Sequence, residues 1–520
     1  MSESTITFLI LGVTVAVFVW DQLPVAVVAM GVALSLWATG VLELEQSLAG
    51  FGDPTVIFIA SLFVVSEALD ASGVTAWAGQ GLIAKAGDSR ARLIVLTMLL
   101  VAVLTALISV NGAVAALLPV VAVIAVRLRL SPSQLLLPLA FGAHAGSLLA
   151  LTGSPVNVIV AESADDAGEG RFGFFDFALV GLPLLAGTIA IVVLFGERLL
   201  PNRTARSATR DFGTLARTLV EQYDLDHDPE ALFSRTSGVA EVVVPPRSAL
   251  IGETVFAGMV TDSGDLVVLA VQRKGEDLPG ETELVLGDTL LLRGAWGDLE
   301  YHLDDPELLV VDQPALVRRQ AVPLGPGAKR TLVVLAGMVM LLVAGVVPPA
   351  VAGLFAAGAI VLFRVLTAEQ AYRGISWTTV ILVAGMIPLS TAMVETGAAE
   401  TLAEALVSGL GDSGPYALLL GLVVLTMGLG QLISNTATAL IVIPIAVSAA
   451  SELDVSAKPL LMGVCVAAAA SFLTPVATPA NLMVMTPGGY RFGDYWKLGL
   501  PLLALFGAVA VLLVPTVWSF

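Results

Sequence analysis

The sequence of 520 residues has one cysteine, Cys465, which excludes an internal disulfide and a cysteine-built metal centre. It has three histidines, His144, His227 and His302, too few for a multi-histidine metal site. Charge is scarce as well. Asp, Glu, Lys and Arg make up 13% of the chain, against about 25% in an ordinary soluble domain. Basic residues are the rarer sign, 25 against 43 acidic, and the net charge of −18 excludes the basic footprint that a nucleic-acid partner requires. A Walker motif and a glycine-rich dinucleotide fingerprint are both missing, so neither ATP drive nor a nicotinamide cofactor is indicated. No nucleophile–base or metal constellation points to an enzyme, and no cofactor is expected.

Apolar residues are what the chain has in abundance. They form 57% of it, and the mean hydropathy is +0.91. That composition describes an integral membrane protein. The opening MSESTITFLILGVTVAVFVW has no basic n-region and no small-residue cleavage site, so it reads as a first membrane helix rather than a removed signal peptide. Apolar runs fill 5–200 and 330–518. Between them, 201–328 holds 21 Asp and Glu against 11 Lys and Arg, −10 of the total −18. The chain therefore divides into membrane parts at 1–200 and 329–520 and a soluble insert at 201–328. Strands are expected in the insert at Glu241–Val244, Leu266–Val271, Leu284–Leu286 and Thr289–Leu292, with turns at 273–276 and 287–288 and a helix over Thr254–Val260.

The two apolar parts repeat one another. Residues 50–73 align with 374–397 at an offset of 324, with Gly50/Gly374, Val56/Val380, Ala60/Ala384, Ser66/Ser390 and Gly73/Gly397 identical. Ile108, Ser109 and Pro119 match Ile433, Ser434 and Pro444 at 325, and 153–157 matches 477–481 at 324. Spans of about 20 apolar residues fit at about 5–20, 23–41, 54–72, 134–164 and 177–198. The stretch 92–128, with polar Ser109-Val110-Asn111-Gly112 in its middle, is left as a re-entrant hairpin. Lys85, Arg90, Arg92, Arg127 and Arg129 flank it, and Arg198 and Arg203 end the last span, which places those ends in the cytoplasm. From Gly374 to Ala457 there is no Lys or Arg, so the second hairpin, about 415–450, opens outside. The expected fold is thus an all-α polytopic membrane protein. It has two inverted repeats, each of five transmembrane helices plus a re-entrant hairpin, with a small α/β cytoplasmic domain inserted between them. Both termini lie outside the cell (inner) membrane.

Inverted repeats with broken helices build transporters whose sites sit where the breaks meet. Here the polar breaks are Ser109–Gly112 and Ser434–Thr436 at the hairpin tips, and Thr152–Asn157 and Thr474–Asn481 in the helices that follow. Proline ends a helix and frees its backbone groups; freed carbonyls suit a cation, and exposed N–H groups and hydroxyls suit an anion. His144 lies mid-span and reads either as a group that binds the anion or carries a proton, or as a hydrogen-bonded structural histidine. Glu67 and Asp70 lie near the end of a span and read as interfacial anchors.

These residues resemble the divalent anion:sodium symporter family of the ion transporter superfamily. Ser434-Asn435-Thr436 matches its Ser-Asn-Thr tip, and Gly153–Asn157 and Ala477–Asn481 match its breaks; Ser109-Val110-Asn111 departs, with Val where the family has Asn. The resemblance implies one sodium site at Thr105, Ser109, Asn111 and Gly153, and another at Gly430, Ile433, Asn435 and Ala477. It implies a substrate site drawn from Ser109, Asn111, Ser154, Asn157, Ser434, Asn435, Thr436, Thr478, Asn481 and His144. Val110 supplies no oxygen, which weakens the first sodium site. A mobile transport domain then moves in an elevator fashion against a dimeric scaffold, with linking arms at 73–91 and 397–414. The insert resembles a TrkA-C (RCK-C) domain over about 236–312, on Glu241–Ser248, Ile251-Gly252, Leu266–Arg273 and Leu286–Thr289. Such domains often dimerise, and some bind small regulatory ligands. The function expected is sodium-coupled symport of a small divalent anion such as sulfate or a C4-dicarboxylate. Its rivals are an oxyanion exporter or cation/proton antiporter of the same superfamily and, more remotely, a gated channel, for which no TVGYG-like filter is found.

Overall fold

The computed structural model describes the chain except residues 1, 21, 76, 79–88, 128–129, 204–217, 224–231, 235–236, 279, 304–306, 312–313, 315–316, 318–323, 326, 411–413 and 476. Lys85 and Arg129, most of the linking arm expected at 73–91 and the first part of the insert lie outside the described residues. Contacts divide the chain into two units. One is Met1–Leu69, Gly81–Ala208 and Lys329–Phe520; the other is Asp70–Gln80 and Thr209–Ala328.

The larger unit is helical. Its first half runs α1 (Glu3–Trp20), α2 (Val25–Ala38), α3 (Leu44–Leu48), α4 (Pro54–Ala71), α5 (Arg90–Leu107), α6 (Val110–Arg127), α7 (Leu136–Gly146), α8 (Pro155–Asp166) and α9 (Ala178–Leu199). The smaller unit contains α10 (Trp296–His302). The second half of the larger unit runs α11 (Ala328–Ala344), α12 (Pro349–Leu362), α13 (Ala368–Gly374), α14 (Trp377–Glu395), α15 (Ala398–Leu410), α16 (Pro415–Leu429), α17 (Asn435–Glu452), α18 (Ala457–Ala468), α19 (Pro479–Met485) and α20 (Tyr495–Ala508). A π-helical turn, Val509–Leu513, carries α20 on toward Val517.

Among the described residues, six helical stretches are long and apolar enough to cross a membrane: Leu44–Ala71, Arg90–Leu107, Ala178–Leu199, Trp377–Glu395, Asn435–Glu452 and Phe492–Val517. The stretch expected as one span at 134–164 is interrupted. It consists of α7, a 3-10 turn at Leu151–Gly153, and α8, whose first residue is Pro155. Proline at that position loses no hydrogen bond, because the first N–H groups of a helix have no partner anyway. The counterpart in the second half is α18, a non-helical stretch, and α19, again opened by proline.

Burial explains why these two interrupted stretches are apolar all round. All eleven residues of α7 are buried, as are all of α18 except Lys458. α7 packs on α5, α18 on α17, and α14 on α2. The breaks are therefore held inside protein, where irregular backbone is tolerated at membrane depth.

The smaller unit is built on an antiparallel sheet of order β4-β3-β6-β1-β7. Its strands are β1 (Ser237–Val243), β3 (Leu266–Arg273), β4 (Glu276–Asp277), β6 (Thr289–Ala295) and β7 (Leu309–Val310), with β2 (Thr254–Val255) and β5 (Thr282–Glu283) paired separately. β1 and β6 pair from Ser237↔Ala295 to Val243↔Thr289, and a bulge at Val268/Ala270 interrupts β3 against β6. Alternation puts Val242 and Leu292 in one core and Val239 and Leu291 in another, and the bulge sends Val268 to the first and Ala270, two residues on, to the second. Two expectations are corrected here. Thr254–Val260 is no helix: Thr254 and Val255 pair with Glu283 and Thr282, and Gly258 turns the chain at φ +93°. The strand expected at Leu284–Leu286 ends instead at Glu283, because the Asp288 carboxylate accepts the Val285 N–H and folds the segment into a turn.

Candidate functional site

Four helices begin around one cavity. Ser109, Ser154, Ser434 and Thr478 stand immediately before α6, α8, α17 and α19. Each side-chain oxygen accepts an N–H of the turn it opens. Gly112 donates to Ser109 Oγ at 3.2 Å, Val156 to Ser154 Oγ at 3.2 Å, Ala437 to Ser434 Oγ at 3.3 Å and Asn481 to Thr478 Oγ1 at 3.3 Å. These are N-caps, and they leave other first-turn N–H groups without a helical acceptor. All four line a cavity of about 540 Å³. Its described lining includes no Asp, Glu, Lys or Arg; Phe18, Val25, Phe63, Leu382 and Phe492 supply apolar wall. A helix N-terminus carries roughly half a positive charge. Convergence of such ends favours an anion without any formal cation, and α6, α8 and α17 are long enough to contribute fully.

Of the residues singled out from the sequence, Ser109, Asn111, His144, Gly153, Ser154, Ile433, Ser434, Asn435, Thr436, Ala477 and Thr478 line this cavity together. Thr105, Asn157, Gly430 and Asn481 lie outside its lining. Thr105 is fully buried, and among the described residues its hydroxyl has no hydrogen-bond partner. Gly430 O accepts from Ser471 Oγ at 3.2 Å. The two asparagines knit the breaks. Asn157 Nδ2 donates to Ser147 O (2.7 Å) and Ala150 O (2.8 Å); Asn481 Nδ2 donates to Ser471 O (2.8 Å) and Thr474 O (3.1 Å). Each ties its helix back to carbonyls ten and seven residues earlier, and so satisfies backbone that the break strips of helical bonds.

Gly153 shows how tight the first break is. A Cβ there would stand 2.3 Å from Ser147 O, an approach that only glycine permits. Across the cavity, His144 Nε2 is 3.2 Å from both Asn481 Oδ1 and Thr478 Oγ1. Its ring meets Phe472 edge-on, with centroids 5.7 Å apart. α7 of the first half is thereby bonded to the break of the second.

Known proteins were compared with this geometry in hand. A model of the citrate transporter family, CitMHS, matches residues 15–451 and 409–520. The chain belongs to this family. The uncharacterized transporter YfbS of Escherichia coli (strain K12) is 31% identical over 98% of this chain and 98% of its own. An uncharacterized transporter of Synechocystis sp. is 26% identical over 99% of this chain and 97% of its own. Sodium/sulfate cotransporter 1 of Chlamydomonas reinhardtii is 25% identical over 54% of this chain and 33% of its own. The protein is a multi-pass membrane transporter.

Sequence reasoning missed several groups at the site of this citrate transporter family member. Ser471 Oγ donates to Asn435 Oδ1, and it is signalled only by its place ten residues before Asn481. Gln431 Nε2 donates to Met427 O and Ala470 O, and its Oε1 accepts the Leu473 N–H at 2.9 Å, bracing the end of α16 against the break. Thr378 and Thr379, at the start of α14, also line the cavity. No spacing along the chain pointed to them.

Proposed function

We propose that this transporter is a secondary carrier of a small divalent anion, sulfate or a C4-dicarboxylate, driven by sodium. The observation that carries the reading is the meeting of four capped helix starts on one cavity whose described lining bears no charged side chain. Hydroxyls, amides and backbone N–H groups then select the anion, and the helix termini supply positive potential without a desolvated lysine or arginine. About 540 Å³ is enough for a small anion and its apolar surround. The family description and the sodium/sulfate cotransporter relative point the same way.

The resemblance to the divalent anion:sodium symporters completes the proposal. Two inverted repeats place opposed hairpins around the cavity, which moves in an elevator fashion against a dimeric scaffold in the cell (inner) membrane. Both termini lie outside, and the TrkA-C-like insert is cytoplasmic and open to a small regulatory ligand. Sodium binds at the second tip, where Asn435 Oδ1 and Gly430 O converge on Ser471. Thr105, Ser109, Asn111 and Gly153 form the weaker first site. Val110 in the first tip also favours a second reading, a proton-coupled exchanger or oxyanion exporter, which sodium-independent flux driven by a pH gradient would identify.

The test is the thermal stability of the purified protein with sulfate, succinate or citrate, each with sodium or with choline. A ligand of the folded state stabilises by about 2.7 kcal/mol at 100 times Kd. A sodium-dependent shift with one dianion supports the reading; shifts independent of sodium with every dianion overturn the coupling.

A further inference from the structure

His144 is almost entirely buried, 1% exposed, yet it borders the cavity. Its hydrogen bonds can be resolved atom by atom. Asn481 Nδ2 donates to two backbone carbonyls, Ser471 O and Thr474 O. That pair of acceptors settles which end of the amide is nitrogen. The atom 3.2 Å from His144 Nε2 is therefore the amide oxygen, which only accepts. Nε2 must carry a hydrogen.

The consequence falls on Thr478. Its Oγ1 lies 3.2 Å from the same protonated Nε2, so the hydroxyl cannot donate to the ring. Oγ1 also accepts the Asn481 N–H at 3.3 Å. The single Nε2 hydrogen is shared between Asn481 Oδ1 and Thr478 Oγ1, so the Thr478 oxygen faces two N–H hydrogens. Its hydrogen has no acceptor among the described residues, and Thr478 lines the cavity. Among the described residues His144 Nδ1 has no hydrogen-bond partner, so Nε2 is the only ring nitrogen tied to the site.

We infer that His144 is a positioning residue which, through Nε2–H, turns the Thr478 hydroxyl into an obligate donor to the oxyanion cargo. The inference rests on the anion-site reading and deepens it. An obligate donor takes an acceptor-only oxygen, such as that of sulfate or a carboxylate. The two N–H hydrogens that face its oxygen disfavour a sodium ion there, so Thr478 serves the anion and not the coupling cation. The Asn481 amide holds His144 Nε2–H, and His144 and the Asn481 N–H hold Thr478.

The experiment is a sulfate titration, read by thermal shift, of the full-length purified protein and of His144→Leu, His144→Gln, Thr478→Val, Thr478→Ser and the His144→Leu/Thr478→Val pair. Succinate and citrate serve as parallel probes. A lost hydrogen bond to a charged ligand weakens binding by about tenfold to a hundredfold. His144→Leu and Thr478→Val should each show that loss, and the double variant should bind no worse than Thr478→Val, because the two residues act as one unit. His144→Gln, whose amide nitrogen reaches the place of Nε2, and Thr478→Ser should stay within a few-fold of the parent. Sodium affinity measured at saturating sulfate should not change in Thr478→Val. Penalties that add in the double variant mean His144 touches the anion directly and overturn the relay. Equal losses in His144→Gln and His144→Leu overturn it too. If His144→Leu does not fold, a Thr478→Val variant that binds sulfate normally still sinks it. A parent protein that binds none of the three anions removes the anion site itself, and the inference falls with it; the variants cannot produce that result.

Discussion

The two breaks of the membrane unit are built alike and end differently. Asn157 and Asn481 stand 324 residues apart, and each donates to the carbonyls ten and seven residues before it. Their oxygens then part company. Asn157 Oδ1 accepts from the buried Cys465 thiol at 3.3 Å, whereas Asn481 Oδ1 meets His144. The tips diverge in the same sense. Ser434 is followed by Asn435, whose side chain is bonded to Ser471; Ser109 is followed by Val110, and the hydroxyl of Ser147, which stands where Ser471 does, donates back to His144 O. The second side is thus braced from its tip, by Asn435 and Ser471, and the first from its break, where Thr152 Oγ1 donates to Ala106 O at 2.6 Å. The shared part is what any broken helix in a membrane requires, the satisfaction of orphaned backbone. The unshared part is free to carry function, and it gathers on the second half.

The comparison breaks most sharply at Gly153 and Ala477, which correspond at the offset of 324. Gly153→Ala drives a methyl group against Ser147 O and should cost about 3 kcal/mol of stability or prevent accumulation in the membrane. Ala477→Gly should cost no more than about 1 kcal/mol. Thermal unfolding of the two variants checks this, and equal losses would show that the breaks are packed alike.

The next largest effect is at the serines. Ser471→Ala removes the partner of Asn435 Oδ1 and Gly430 O, and should raise the sodium concentration needed for half-maximal anion binding by about tenfold. Ser147→Ala loses a bond within its own helix end and should change it by less than about twofold. Val110→Asn sharpens the comparison from the other side. It restores an oxygen to the first tip, so the sodium dependence of anion binding should steepen while the sulfate affinity moves little. An unchanged steepness would mean that the tips differ for a reason other than cation binding.

The smallest effect at neutral pH separates the membrane unit from the β-rich unit. The cavity's described lining has no carboxylate, but Asp288 in the sheet unit is buried against Arg273, whose Nε and Nη2 each lie 2.8 Å from a carboxylate oxygen. Burial alone would raise the Asp288 pKa; the Arg273 hydrogen bonds and the Val285 N–H outweigh it, and the carboxyl sits below its ordinary value. A depressed carboxyl contributes stability in full above its unfolded pKa, near 4, and loses it as the pH falls through the lower folded value. Asp288→Asn should therefore flatten the acid limb of the β-sheet unfolding signal, followed by circular dichroism, and leave anion binding at neutral pH unchanged.

Much of this was legible in order along the chain. Hydropathy marks the apolar runs because lipid and buried helices demand them, and the polar interruptions at Ser109, Ser154, Ser434 and Thr478 mark helix starts because a cap needs a side-chain oxygen and a following turn needs its N–H groups satisfied. Eleven of the site residues named from the sequence, some on that ground and others from the family resemblance, line one cavity. The errors in the insert have the same root. Thr254–Val260 and Leu284–Leu286 lie in short strands and turns whose pairing is set across 30 residues, by Thr254↔Glu283, and local pattern carries no such information.

What the sequence by itself determined is a membrane protein with two similar apolar halves, a charged insert and four polar helix breaks, since composition, periodicity and caps act over a few residues. Only the tertiary structure decided which of those polar groups face the cavity. Asn157 and Asn481 read as ligands in the sequence; the structure sets both outside the cavity's described lining and bonds each to carbonyls of its own break, because whether an amide meets a carbonyl depends on where the chain folds back. Gln431, Ser471, Thr378 and Thr379 join the site by packing of elements distant in the chain. The meeting of His144 with Thr478, 334 residues away, is the same kind of fact: hydrogen bonds act over about 3 Å in space, and no spacing along a sequence measures that distance.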